Sequence, residues 1–164
     1  MLQLIATLLP APVHRAGLRL AHRARVLWWR WRRPRLYGCR VIALNAAGEV
    51  LLVRHSYGPQ GWMPPGGGVK RGEDPVLAAC RELEEEIGCA LAGARVIEET
   101  LDDLHGAGNH VFMVGGRCTG QPRPDGREIV AAAFFPPAAL PADLAGALAG
   151  RLPGWAALAA SEEA

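Results

Sequence analysis

Hydrophobic and polar positions along the chain divide it into short strand-like runs around one strongly patterned helix. Tyr37–Leu44 and Glu49–Arg54 read as strands joined by the turn Asn45-Ala46-Ala47-Gly48, which together suggest a hairpin. Ala94–Leu101 alternates weakly and is expected to be a strand. The polar stretch Asp102–Asn109, with two glycines, is expected to be a loop. His110–Cys118 and the apolar run ending at Phe135 supply two more strands, separated by the Pro- and Gly-containing segment Thr119–Gly126. A helix is expected to start within Leu140–Leu144. A last helix covers Ala156–Ala160 with Trp155 turned inward, before a frayed tail, Ser161–Ala164.

Two stretches carry the helical period. From Val13 to about Arg33, the residues Val13, Ala16, Leu20, Ala24, Leu27 and Trp31 form one stripe, and Pro34 stops the run. The second helix opens at Asp74-Pro75 and ends at Gly88. On it Val76, Ala79, Cys80, Leu83 and Ile87 share a core-facing side, while Glu82, Glu85 and Glu86 fall within an arc of roughly 100° on another. Glu84 points elsewhere. Like charges three and four residues apart repel by a few tenths of a kcal/mol. A solvated acidic face tolerates that, and a hard divalent cation with oxygen ligands offsets it.

Composition changes this picture in one respect. At 164 residues, 50% of them hydrophobic, the chain is long enough for one domain with a buried core. Its formal net charge of +2 hides an asymmetry. Residues 1–40 contain nine arginines and no acid, so the rest is markedly acidic. Expected units are an N-terminal basic amphipathic arm (1–36), a main domain (37–150) and a C-terminal helix with its tail (151–164). The four cysteines form no C-x-x-C pair and sit in apolar segments, which suggests buried thiols in a reducing, cytoplasmic compartment rather than a zinc site. No apolar run approaches a membrane span. The apolar stretch before Pro10 lacks the preceding basic residues of a secretory signal.

The spacing around the acidic helix is more specific than its charge. Gly67 is followed after five residues by Glu73, and after seven more by Arg81-Glu82-Leu83. One residue later come Glu85-Glu86, and one later again Gly88. This resembles the signature G-x5-E-x7-R-E-U-x-E-E-x-G-U of the Nudix hydrolases, where U is aliphatic. Cys89 stands at the final aliphatic position, and Pro64 replaces the aliphatic usual in the Trp62–Gly67 approach. The resemblance covers about Arg40 to Leu148 and leaves the arm outside.

It implies an α/β fold, a mixed β-sheet between helices in an α/β/α sandwich. It further implies Mg2+, with Mn2+ as a substitute, held by Glu82, Glu85 and Glu86 and by the carbonyl of Gly67. Arg81 would pair with Glu73 and fix the helix against its preceding loop. Glu128, before the final strand, is a candidate fourth carboxylate. Glu82, Glu85 and Glu128 all remain open as general base, with His105 and His110 behind them. Arg54 and His55 end the second strand and face the loop, a region whose residues touch the substrate phosphates or the leaving half in similar proteins, and Arg54 is the candidate for substrate contact. The implied activity is hydrolysis of a phosphoanhydride in a nucleoside diphosphate linked to another group, or in a nucleoside triphosphate. The alternative is a Nudix-like domain that binds and senses nucleotide without cleaving it. Three partners stay open for the basic, Trp-rich arm: the domain itself or a second subunit as a homodimer, a membrane surface, and, ranked behind these, nucleic acid.

Overall fold

The computed structural model describes residues 11–32, 34–58, 61–104, 107–124, 126–145 and 148–161, with the backbone alone at 11, 13–15 and 102–104. The stretch before Ala11, His105 and the last three residues lie outside the described residues, as do the expectations attached to them.

Five strands form one mixed sheet in the order β3-β4-β1-β2-β5. They are β1 (Leu36–Leu44), β2 (Val50–His55), β3 (Ala90–Leu104), β4 (Ala107–Thr119) and β5 (Ile129–Phe135). β1 pairs antiparallel with β2 and parallel with β4, while β2–β5 and β3–β4 are antiparallel. The central strand β1 is buried on both faces, which is why its second half, Val41-Ile42-Ala43-Leu44, is continuously apolar.

A helix covers each face. Helix α2 (Pro75–Ile87) packs on one side through Ala79, Leu83 and Ile87, against Val41, Leu51 and Val114. Helix α3 (Leu152–Ala160) packs on the other through Leu152, Trp155 and Ala159, against Ile42, Leu52 and Met113. The result is the α/β/α sandwich expected. Close approach is built in: a Cβ on Gly115 of β4 would lie 2.8 Å from the Cβ of Ala159.

Helix α1 (Ala11–Arg32) lies within the expected arm, and of the partners left open for its stripe the domain is the one that the stripe does not meet. The apolar stripe points away from the domain: Leu20 is 71%, Leu27 67% and Trp31 77% exposed. The side turned inward carries half-buried Leu18, His22, Val26 and Trp29, with the exposed Arg19 bonded to the Ser56 carbonyl beside it. For α1 the period predicts the helix and leaves its docked side open, and the domain meets it through a neighbouring side where hydrogen bonds and ring contacts accompany half-buried Leu18 and Val26.

Two further expectations are corrected. The stretch Asp102–Asn109 is not one loop: β3 and β4 extend into it, pairing Asp102 with Asn109 and Leu104 with Ala107. Ladder hydrogen bonds come from the backbone, so polar side chains at an exposed end do not stop them. No helix starts at Leu140–Leu144. There Trp62 N–H donates to the Asp143 carbonyl (3.0 Å) and Ala145 N–H to the Trp62 carbonyl (2.8 Å), which commits that backbone to a bridge instead. The last helix begins at Leu152, earlier than expected, with Trp155 buried.

Candidate active site

The site is built outward from α2. Asp74 caps the helix, its carboxylate accepting the N–H groups of Val76 (2.8 Å) and Leu77 (3.1 Å), and Pro75 follows at the first helical position. Gly88, at φ 70°, ends it and sends its N–H to the Glu84 carbonyl. With both ends and the apolar side fixed, the remaining side is held at a set angle to the loop Gly66–Gly68.

Arg81 is the clamp. Its Nε and Nη2 meet the two carboxylate oxygens of Glu73 at 2.9 and 3.1 Å, a bidentate fork. Nη2 also donates to the Gly68 carbonyl, and Nη1 to Glu82 at 2.6 Å. Glu73 additionally accepts the Lys70 N–H (2.8 Å). These bonds, Arg81 first, hold its carboxyl down at about 2, and the same pairing raises the Arg81 guanidinium. The expected Glu73–Arg81 pair is therefore present, and it is the group that orients Glu82.

The glycines make room for that carboxylate. A Cβ on Gly67 would lie 2.4 Å from the Glu82 carboxyl, so only glycine lets Glu82 fold over the loop. Gly66 has φ 144° and presses on β1: a Cβ there would come within 2.2 Å of the Cys39 carbonyl oxygen. The Gly67 carbonyl accepts both the Cys39 N–H (2.9 Å) and, more weakly, the Cys39 thiol (3.8 Å), which fixes that oxygen at the edge of the cleft.

Glu82, Glu86 and Glu128 line one cleft of about 460 Å3 together with His55, Tyr57 and Arg40. Glu86 is buried at 8% exposure. Burial, then the charges of Glu128 and Glu82, push its pKa up to about 8 against the opposing Gly66 N–H and Arg40. Burial likewise raises Glu82, with Arg81 opposing. Ligand atoms of His55, Glu86 and Glu128 lie within 4.8 Å of one another. Burial, helped by the Arg40 charge, draws His55 down to about 4, so its imidazole is neutral and able to donate a lone pair near pH 7. Tyr57 donates its hydroxyl to Glu128. Burial and that bond raise the Tyr57 hydroxyl. The backbone adds a second tie, Ser56 N–H to the Glu128 carbonyl at 2.8 Å. Arg40 reaches the Pro64 carbonyl (3.4 Å), and burial lowers its pKa.

Not all residues singled out in the sequence converge here. Glu85 lies outside the cleft, 57% exposed and 3.6 Å from Arg81. Arg54 is also outside: it pairs with Asp143 and its guanidinium lies 4.9 Å from the Trp62 ring centroid. Its neighbour His55 lines the cleft instead, because successive strand residues face opposite ways. His110 pairs with Glu99 and stacks on Phe112, away from the carboxylates. Tyr57 and Arg40 carry no spacing signal, and His55 has only its place beside Arg54 at the strand end. His55 and Tyr57 come to the site through pairing of the β2 end with the β5 start, where the register shifts between Arg54 and His55.

The donor set fits a hard divalent cation. Carboxylate oxygens are its preferred ligands, and the burial and neighbouring carboxyls that push Glu86 up to about 8 penalise its charged form in a way that a bound cation would offset.

The NUDIX domain profile matches residues 34–153, most of the chain. The chain belongs to the Nudix hydrolase family. Similar curated proteins are named RNA pyrophosphohydrolase. That of Rhodospirillum rubrum is 46% identical over 55 residues, 34% of this chain and 33% of the relative. That of Rhizobium meliloti is 40% identical over 81 residues, 46% of this chain and 47% of the relative. The chain thus spans less than half the length of these two relatives. Among solved structures, the MutT Nudix hydrolase from Burkholderia pseudomallei superposes with a TM-score of 0.64 at 26% identity, over 74% of this chain and 97% of that one. The ORF135 protein of E. coli reaches 0.64 at 24% identity, over 77% and 92%, and shows a shared fold alone.

Proposed function

We propose that this Nudix protein hydrolyses a phosphoanhydride bond in a nucleotide-like substrate, a nucleoside triphosphate or a nucleoside diphosphate joined to another group, with Mg2+ or Mn2+. The observation that carries this reading is the convergence of Glu82, Glu86 and Glu128 in one cleft, one of them buried and raised to about 8. Glu82, Glu86 and Glu128 would hold the cations, with the Gly67 carbonyl oxygen able to join them if it gives up its weak thiol contact. When bound, such ions neutralise the phosphate oxygens and the charge that grows on them as the anhydride breaks.

The chain's own residues supply position and proton transfer. Arg81 keeps Glu82 over the glycine loop, and Tyr57 keeps Glu128 facing Glu86. Glu82 and Glu128 are the carboxylates inside the cleft suited to take the proton of the attacking water. The test is a panel of phosphoanhydrides, including RNA carrying a 5′ triphosphate because of the relatives' name, assayed for phosphate release with Mg2+ and Mn2+. Turnover by the parent and its loss in Glu86→Gln are expected. Nucleotide binding with no turnover of any member would instead establish the sensing alternative.

The outer side of α1 supports a second contact. Leu20, Leu27, Trp28 and Trp31 are exposed there, with Arg23 and Arg30 on the same helix. Apolar side chains beside arginines complement an anionic lipid surface, and we assign this side to peripheral membrane contact. Among the described residues no helix is long and apolar enough to cross a membrane. Co-sedimentation of the full chain with anionic vesicles should exceed that of Leu27→Glu. Equal partitioning overturns the assignment, and concentration-dependent self-association lost in the same variant would give this side to a second copy.

A further inference from the structure

The cleft has a wall that the family domain does not supply. The domain match begins at residue 34, yet His22, Arg25 and Trp29 of α1 line the same cleft as Glu82, Glu86 and Glu128. They follow one another at three- and four-residue steps, so they share a side of the helix. Specific contacts seat that side on the loop after β2. Arg19 Nε donates to the Ser56 carbonyl at 3.2 Å. The His22 ring lies 5.7 Å from that of Tyr57, the residue that holds Glu128. A Cβ on Gly58 would touch His22 at 3.7 Å.

Charge then distinguishes what this wall can do. Two arginines line the cleft, Arg25 and Arg40. Arg40 is committed inside, next to Glu86 and bonded to the Pro64 carbonyl. Arg25 lines the cleft from α1, its guanidinium carbon 5.5 Å from the Trp29 ring centroid. A cation beside an indole, in the same cleft as the carboxylates, matches a ligand that carries phosphates and an aromatic group.

We propose that Arg25 and Trp29 form a subsite of the catalytic cleft for the part of the substrate beyond the bond that is cut: Arg25 meets a phosphate and Trp29 packs on the adjoining nucleobase. This rests on the phosphoanhydride reading above. The arm is then a specificity element added to the Nudix domain, with its inner side serving substrate.

The test measures binding and turnover separately, on the full chain with Mg2+. A non-hydrolysable nucleoside triphosphate analogue and inorganic tripolyphosphate serve as probes by calorimetry. Trp29→Ala should weaken the nucleotide analogue about tenfold, the scale of one aromatic–base stack, while leaving tripolyphosphate unaffected. Trp29→Phe should restore most of the loss. Arg25→Ala should weaken both probes about tenfold, as for a charge-assisted phosphate contact. In turnover, both effects should fall on KM rather than kcat. Circular dichroism of each variant checks that the helix persists. The subsite is overturned if both alanine variants bind the analogue as the parent does, if Trp29→Ala weakens tripolyphosphate equally, or if the parent binds neither probe. Failure of the hydrolytic reading looks different: arm-dependent binding of the analogue with no cleavage of any phosphoanhydride.

Discussion

Helices α1 and α2 border the same cleft and obey opposite rules. In α2 the apolar side is buried against the sheet, the ends are capped, and the polar side is left to carry chemistry. In α1 the Leu20–Leu27–Trp31 stripe is exposed, and the inward side mixes Leu18 and Val26 with His22 and Trp29. An amphipathic pattern identifies the buried side only where apolar burial is what docks the helix. Where docking runs through side-chain hydrogen bonds and ring contacts, as at Arg19–Ser56 and His22–Tyr57, the same period leaves the choice open.

Substitutions can break this contrast at graded cost. The largest effect is expected at the α2 polar side: Glu86→Gln should lower turnover by about two to four orders of magnitude with the melting transition preserved, since a neutral amide keeps the volume of a buried, partly protonated carboxyl. A melting temperature that falls with the activity would make Glu86 structural. Next, Leu83→Ala on the α2 apolar side should cost about 2–5 kcal/mol in denaturant unfolding. Glu73→Gln comes third. It loosens Arg81 and with it Glu82, so Mg2+ affinity should drop by about 10–100-fold. Its stability effect has a defined sign. The folded carboxyl is depressed to about 2, so the parent's advantage over Glu73→Gln is complete above the unfolded carboxylate range. That advantage should shrink as pH falls from 5 toward 2, as followed by parallel urea titrations. The smallest effect belongs to α1: Leu27→Ala, on the exposed stripe, should change stability by less than about 0.5 kcal/mol. A loss comparable to that of Leu83→Ala would mean that the stripe is covered in solution.

The same contrast explains what the sequence could say. The α2 unit was legible almost whole, because its cap, clamp, core side and stop are local and fixed in spacing. The sandwich followed from the resemblance to which that spacing led. What spacing could not supply was direction at single-residue resolution. Glu85 and Glu86 are neighbours, yet one is exposed and the other buried, and only the fit against Gly66 and β5 separates them. Arg54 and His55 differ in the same way on a strand, where alternation shows that they diverge but not which one meets the cleft. Tyr57 owes its place to the pairing of β2 with β5, which is distant in sequence. The Leu140–Leu144 segment was misread because its helical composition is overruled by hydrogen bonds to Gly61-Trp62-Met63 geometry that no local window contains.

The connection between α1 and β1 has a consequence of its own. Helix α1 ends at Arg32 and β1 begins at Leu36, so three residues tether the arm to the central strand of the sheet, a reach of roughly 10 Å. Over such a distance the local concentration of the arm at the cleft is millimolar or higher, on the order expected for short linkers. Contacts too weak to hold a separate peptide then suffice to keep the helix seated. The arm supplied as a free peptide to a chain lacking it would have to reach about that concentration to take its place.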